Sequence, residues 1–199
     1  MTTIYAVWKT FVEPNHLDWT WELLDKLYGE PHRKYHNMWH VQDCLNILEA
    51  ITDDSPPREA ALALLWHDAV YVPGDKRNEE LSAGLLRSMA PVLTVDVEVS
   101  CNAILATKNH ETSLDNAVAR LVIDVDMSIL GTFPIEYGLY VRSIRKEYSS
   151  VSDEAWRVGR GGFLTHTLNS NRIFQTEPGY AFFEAKAREN MRRELASLR

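Results

Sequence analysis

The segment from Ala60 to Val70 is apolar almost all round, except for His67 and Asp68 near its end. A surface helix keeps its apolar residues on one stripe, whereas a helix that is apolar on every side must be surrounded by other elements. Ser55 resembles an N-cap for this helix, and the two prolines that follow suit a first turn. The chain is therefore expected to fold around a buried central helix that carries His67 and Asp68 near its end.

Helical spacing also dominates the rest of the chain. Apolar residues recur at intervals of three and four over residues 17–28 and 38–51. Further helices are predicted over residues 78–89, 95–107, 114–124, 135–149, 153–168 and 180–198. Strand signals are sparse, and no repeat or linker divides the chain. With 199 residues and 45% hydrophobic content, residues 1–199 are predicted to form one all-α domain.

Composition excludes some classes of function. The net charge of −7 argues against a protein that binds duplex nucleic acid, because phosphate-backbone affinity comes from Lys and Arg. A small anionic substrate remains compatible, since a bound cation can invert the local charge. No membrane association is expected and the cytoplasm is the expected compartment, because signal-peptide features and membrane-length apolar runs are missing. Cys44 and Cys101 lie in apolar helical patterns and give neither a disulfide framework nor a Cys-rich zinc site.

Two polar residues end the central apolar helix, and polar groups inside a core need partners. A metal ion bound by His67 and Asp68 is one such partner. The alternative is a buried histidine that is satisfied by a carboxylate or a backbone carbonyl, and an isolated His-Asp dipeptide favours this alternative. The dipeptide alone therefore does not establish a metal site.

Other residues of metal-binding type precede and follow this pair. His36 and His40 share one face if the helix extends back that far, and we place His40 among the ligands. His36 is expected to orient a ligand or to contact the substrate, the alternative being a loop histidine bonded to the chain. Asp124 and Asp126 are two apart, so one is expected to face a metal while the other bonds to nearby backbone. Helix capping by both aspartates is the alternative.

Several separated motifs together resemble the HD superfamily of metal-dependent phosphohydrolases. The order His, His-Asp, Asp is the signature of that superfamily. Four stretches, residues 28–40, 67–71, 78–83 and 124–131, resemble more narrowly a little-described bacterial and phage branch that is known chiefly as predicted phosphohydrolases. Their motifs include Tyr-His-Asn-Met-Trp-His, His-Asp-Ala-Val-Tyr and Asn-Glu-Glu-Leu-Ser-Ala. The resemblance spans most of the chain.

This resemblance implies an HD-type helical bundle with one metal site. The matching metal-binding positions are His40, His67, Asp68 and Asp126. Asp126 is preferred over Asp124 because the last aspartate of the superfamily is usually followed by an apolar and then a small residue, and Asp124 is expected to support the ligands. Mixed nitrogen and oxygen ligands suit Mn, Fe, Co, Ni or Zn better than Mg, and Mn is our first choice.

The implied activity is hydrolysis of a phosphomonoester or phosphoanhydride in a small, nucleotide-like substrate. HD nucleotidases often carry a glutamate within one turn after His-Asp, but Tyr71 occupies that stretch here. Glu79 and His36 are the predicted catalytic residues, whereas Glu80 is expected only to complement a helix dipole. The candidate substrate-binding residues are Lys108, His110, Arg145 and Arg160.

The missing glutamate also motivates an alternative from another class of protein. The chain would then be a non-catalytic helical module that senses a metal or nucleotide, or that binds another protein. Homo-oligomerisation stays open in either case, because sequence pattern alone does not separate exposed apolar faces from core.

Overall fold

The computed structural model describes residues 3–53, 55–113 and 115–198. Within these ranges the chain forms ten α-helices and no strand. The first five helices are α1 (Ile4–Trp8), α2 (Leu17–Tyr28), α3 (Met38–Ile51), α4 (Arg58–Trp66) and α5 (Asn78–Met89). The other five are α6 (Glu98–Thr107), α7 (Ala117–Asp126), α8 (Pro134–Glu147), α9 (Asp153–Asn169) and α10 (Glu177–Ser197). The predicted all-α class is confirmed.

The central helix α4 is shorter than predicted. Ser55 is not its N-cap, because Pro57 holds that position without a side-chain hydrogen bond. The physical reason is that a residue before proline is pushed out of the helical conformation, so a helix cannot include the residues that precede Pro56 and Pro57. The helix ends at Trp66, and His67 and Asp68 therefore lie just beyond its last turn. All its residues from Ala60 onward are buried, as its apolar pattern predicts.

The buried apolar side chains form two clusters that meet at α7. The larger cluster surrounds α4 and includes residues of α1 to α7, with Trp8 and Trp66 fully buried in it. The smaller cluster joins the end of α7 to α8, α9 and α10. Val122 and Val125 belong to the first cluster and Ile123 to the second. Because α7 packs on both sides, its last residue is held rigidly between the two clusters.

None of the described helices combines the length and the apolar character that a bilayer crossing needs. A 3₁₀ turn, Met127–Gly131, follows α7 and brings the chain against α10.

We expect Gly131→Ala to lower the free energy of unfolding by about 2 kcal/mol, as overpacking does. A Cβ atom at Gly131 would lie 2.6 to 2.8 Å from the Cβ, carbonyl oxygen and Cα of Phe183, none of which is a flexible side-chain end. Urea unfolding measures the effect. The matched control is Gly84→Ala in α5, where an added Cβ meets nothing within 4 Å. This control should be stabilised by about 0.5–1 kcal/mol, and equal effects of the two changes would contradict the packing described.

Candidate metal centre

Three helix ends bring the predicted metal ligands together. His40 lies in the first turn of α3, and Asn37 fixes the start of that helix by accepting a hydrogen bond from the Trp39 backbone N–H at 2.9 Å. His67 follows the last residue of α4, and Asp126 is the last residue of α7. Each ligand therefore stands where a buried helix begins or ends, next to rigid backbone.

The distances between the donor atoms suit one bound cation. The His40 Nε2 atom lies 3.1 Å from His67 Nε2 and 3.3 Å from Asp126 Oδ1. The Asp68 Oδ2 atom lies 3.0 Å from His67 Nε2 and 3.6 Å from His40 Nε2. The His67 and Asp126 donors are 3.5 Å apart. Two nitrogen or oxygen atoms that bind one tetrahedral ion at about 2.0–2.2 Å are separated by roughly 3.4 Å, and all five distances are near this value.

Hydrogen bonding also leaves donor atoms free for a cation. The His67 Nδ1 atom lies 2.9 Å from the Leu64 carbonyl oxygen, which can only accept, so Nδ1 carries a hydrogen. In the neutral ring, the lone pair is then on Nε2, which faces His40 and both carboxylates. The Asp68 Oδ2 atom is buried and has no hydrogen bond of acceptable geometry. A bound cation would satisfy both atoms.

Charge pairing outweighs burial in this group. Burial alone would lower the pKa of His67, but the Asp68 carboxylate raises that pKa well above its usual value. Burial alone would raise the pKa of Asp68, yet the charged His67 ring lowers it overall. A proton on the imidazole therefore compensates the carboxylates when no cation does. Because cation and proton compete for the same ring, metal affinity should fall as the pH falls.

Cys44 belongs to this group and was not among the predicted ligands. The residue lies one helical turn after His40, and its Sγ atom is 3.7 and 3.8 Å from the two ring nitrogens of His40. The candidate ligand atoms of His40, Cys44, His67 and Asp126 all lie within 4.8 Å of one another. This His-Cys-His-Asp group can therefore hold a metal ion. The spacing of four between His40 and Cys44 was the available sequence signal.

A cavity of about 570 Å³ opens beside the donors. The residues of predicted function that line it are His36, Asp68, Glu79, Lys108, His110, Asp126 and Arg160. Burial raises the pKa of Glu79, and the Asp68 charge adds to this effect. His110 has a positive φ of 54°, a conformation that costs side-chain-bearing residues about 1 kcal/mol or more. Its Nε2 atom lies 3.6 Å from Asp126 Oδ2.

Glu147, from the end of α8, holds the loop that carries His36. Its Oε1 atom accepts hydrogen bonds from the backbone N–H groups of Lys34, Tyr35 and His36 at 2.7 to 3.0 Å. Its Oε2 atom lies 2.7 Å from His36 Nδ1 and accepts a 2.9 Å hydrogen bond from the Tyr71 hydroxyl. The stretch after His-Asp has no glutamate of its own, but its Tyr71 hydroxyl contacts a carboxylate that lies 76 residues further along the chain.

Arg33 ties the same loop to the turn after α4. Its side chain is fully buried. The guanidinium donates to the carbonyl oxygens of His36 at 3.0 Å, Asp68 at 2.6 Å and Ala69 at 3.0 Å. Because one planar group spans both segments, it sets the position of His36 relative to Asp68. Arg33 and Glu147 were not predicted as site residues, because Arg33 joins its loop to Asp68 and Ala69, and Glu147 joins α8 to that loop, across long stretches of chain.

Asp124 contacts the start of α10 instead of the metal ligands. Its Oδ1 atom accepts a hydrogen bond from the Gln175 N–H at 2.6 Å, and its Oδ2 atom accepts from the N–H and hydroxyl of Thr176. Asp126 faces the donor group, as residues two apart on a helix point in different directions. The expected support from Asp124 to the ligands is therefore indirect, through the packing of α7 on α10.

The predicted phosphate-binding cations differ in their placement. Arg145 is not brought to the cavity, because its guanidinium donates to the carbonyl oxygens of Tyr148 and Val151 and to Asp153. Arg160 lines the cavity, but Glu194 already binds it with two hydrogen bonds of 2.9 and 3.0 Å. Lys108 also lines the cavity and pairs with Glu80.

Comparisons of the chain with protein-family models, with curated proteins and with solved structures found no match. The helical fold and the His-Cys-His-Asp group are compatible with an HD-type fold.

Substitution of the two aspartates of α7 should separate metal binding from stability. We expect Asp126→Asn to weaken Mn²⁺ binding at least about 100-fold, because it removes a charged donor. Asp124→Asn should retain Mn²⁺ binding but lose about 2 kcal/mol of stability, because it weakens a buried hydrogen-bonded carboxylate. Titration calorimetry and urea unfolding measure the two effects. The reverse pattern would show that Asp124 is the ligand.

The contribution of Glu147 to stability should depend on pH. Burial opposes its charge, yet pairing with His36 lowers the pKa of Glu147 to about 2. When the pKa of a carboxyl group is lower in the folded state, its ionised form stabilises the fold. This contribution is complete above the unfolded-state pKa of about 4.3 and is lost as the pH falls towards the folded-state pKa. Wild type should therefore exceed Glu147→Gln by about 3 kcal/mol near pH 6, and the difference should shrink towards pH 2. Urea unfolding across this range measures it.

The exposed Glu154 of α9 offers the control, and Glu154→Gln should show no such convergence with wild type. If the loss of unfolding free energy in Glu147→Gln stays constant with pH, the shape of the Glu147 side chain and not its charge explains its role.

Proposed function

We propose that this chain is a metal-dependent phosphohydrolase of the HD superfamily. It would cleave a phosphomonoester or phosphoanhydride bond in a small, nucleotide-like substrate. The observation that supports this most is the convergence of two imidazoles and two carboxylates at 3.0 to 3.6 Å beside an open cavity. The order of these residues along the chain matches the HD signature described above.

The donor set would hold one divalent cation. The ligands in this proposal are His40, His67, Asp68 and Asp126, and Mn²⁺ is our first choice on their mixed nitrogen and oxygen donors. Such an ion supplies Lewis-acid activation of water and of the phosphoryl group. Everything else in the reaction falls to the residues that line the cavity.

In this proposal His36 would give a proton to the leaving oxygen. Its Nδ1 atom is engaged by Glu147 at 2.7 Å, which leaves Nε2 for the cavity. Burial alone would lower the pKa of His36, but the negative charge of Asp68 and the hydrogen bond to Glu147 raise it. A raised pKa favours the protonated form of the ring, which a proton donor requires. Glu147 acts as a positioning residue because it fixes the ring and its backbone.

In this proposal Glu79 would accept the proton of the attacking water. It is half-buried in the first turn of α5 and lines the same cavity as His36. Its raised pKa brings the carboxylate closer to the working pH, which improves proton transfer. Asn78 keeps the preceding loop in place through hydrogen bonds of 3.0 Å to the backbone N–H and carbonyl of Val72.

The nucleotide class of the substrate rests on resemblance to HD relatives. A cavity of about 570 Å³ lies within the range of small-molecule sites. Lys108 and Arg160 would contact further phosphate oxygens, although their acidic partners reduce the charge available to the substrate. We also propose a cytoplasmic protein that binds no duplex nucleic acid.

A metal or nucleotide sensor without turnover is the second candidate. Tyr71 favours it, because a hydroxyl whose pKa is raised by burial and by the Glu147 charge does not ionise near neutral pH. Tyr71 therefore cannot supply the carboxylate chemistry of the glutamate often found there in HD nucleotidases. Under this proposal the metal centre would bind a cation and a nucleotide but release no phosphate.

The test is phosphate release from a panel of nucleoside monophosphates, nucleoside triphosphates and guanosine tetraphosphate-type alarmones. Each is incubated with Mn²⁺, Co²⁺, Ni²⁺, Zn²⁺ or Mg²⁺. We expect wild type to turn over at least one substrate and Asp68→Ala to lose both metal affinity and turnover. His36→Gln should bind metal normally but lose about 100-fold or more in kcat, as loss of a general acid does.

The matched control is Asp18→Ala, which removes an exposed aspartate of α2. This variant should keep full activity. Metal binding without turnover on the whole panel would favour the sensor, and equal activity of wild type and Asp68→Ala would overturn the proposed site.

A further inference from the structure

The metal donors border two separate cavities. The cavity described above is lined by Asp68 but not by Cys44. A second cavity, of about 390 Å³, is lined by His40 and Cys44 but not by Asp68. Asp126 borders both cavities. Asp68 therefore borders the first cavity and Cys44 borders the second.

The position of the Cys44 sulfur suits a ligand of the same ion. A sulfur at about 2.3 Å and a nitrogen at about 2.0–2.1 Å from a tetrahedral zinc ion are separated by roughly 3.6 Å. The Cys44 Sγ atom lies 3.8 Å from His40 Nε2. The sulfur also lies within 4.8 Å of the donor atoms of His67 and Asp126.

The neighbours of this thiol distinguish it from an ordinary core cysteine. Cys44, His40 and His67 are 3%, 4% and 2% exposed, and the buried sulfur lies within 4.8 Å of a donor nitrogen of each imidazole. Cys101 offers the contrast. It is fully buried in α6, its Sγ contacts the Ala83 carbonyl oxygen at 3.5 Å, and it lies outside the metal-binding group.

We infer that Cys44 is a metal ligand and gives this centre a second binding mode for thiophilic cations such as Zn²⁺ and Co²⁺. His40, His67 and Asp126 would serve both modes. The fourth ligand would be Asp68 for a hard cation such as Mn²⁺ and Cys44 for a thiophilic one, because thiolate prefers softer ions and carboxylate harder ones. Coordination of Cys44 releases its thiol proton to solvent. This inference rests on the metal centre of the proposed function, but not on turnover.

The second cavity suits the approach of a cation. Asp43 and Glu136 line it together with Cys44 and Asp126. Their negative charge favours cations over anions at this side of the centre. A phosphorylated substrate would occupy the other cavity, which Asp68 lines.

The test is titration of the metal-free full chain with Co²⁺, followed by ultraviolet and visible absorption. Wild type should develop the sulfur-to-cobalt charge-transfer band of a thiolate complex. Cys44→Ser should lack that band, whereas Cys101→Ser should keep it. Competition titrations give the second measurement. The preference for Zn²⁺ over Mn²⁺ should fall at least about tenfold in Cys44→Ser, the lower end of what even outer neighbours of a metal contribute.

Cys44→Ala is the companion variant, and circular dichroism checks the folding of each protein. Wild type without the band, or a band that persists in Cys44→Ser, would overturn the inference. The proposed hydrolase is tested separately by phosphate release. A thiolate band without turnover supports this inference and counts against the hydrolase, whereas Mn²⁺-dependent turnover without the band does the reverse.

Discussion

Two carboxylates, Asp68 and Asp126, converge on the same pair of buried imidazoles, and the surrounding structure follows from this arrangement. Like charges in a confined site repel unless a positive charge stands between them. A proton on His67 or a bound cation can supply that charge. The two carboxylates attract this positive charge and so raise the pKa of His67. The three helix ends that carry the donors are fixed by core packing on both sides of α7, so the carboxylates cannot relax apart. The packing that stabilises the core therefore also holds the two carboxylates together, and their combined charge attracts cations.

The loop before α3 is ordered by two charged side chains, Arg33 of the loop itself and Glu147 at the end of α8. Arg33 supplies donors to three carbonyl oxygens, and Glu147 supplies acceptors to three consecutive N–H groups. Each satisfies backbone groups that would be costly to bury unpaired. Arg33 and Glu147 both bind His36 by hydrogen bonds, so His36 is held in place although it precedes α3. A loop residue held in this way can take part in chemistry without the entropy cost of ordering it on substrate binding.

The fold was predictable where local pattern decides it. The spacing of apolar residues predicted α2 and α3 to the residue, and the later helices to within three residues of their bounds. The start of α4 was missed because the steric effect of the paired prolines outweighs the capping preference of Ser55. For the site, the order of His and Asp residues selected four side chains that the structure brings together. Cys44 was not predicted as a ligand because its apolar sequence neighbours are typical of core. Glu147 was not predicted because nothing in a linear pattern links it to His36.

The tyrosine after His-Asp changes where proton transfer can occur. In a site with a glutamate at that position, the acid or base would stand on the same turn as the metal ligands. Here Tyr71 donates its hydroxyl hydrogen to Glu147, and Glu147 in turn raises the pKa of His36. The residue that transfers a proton would then lie in the loop before α3 instead of in the turn after α4. Because imidazolium gives up its proton as the pH rises, a reaction with His36 as acid would slow with rising pH, whereas a carboxylate base would make it slow as the pH falls.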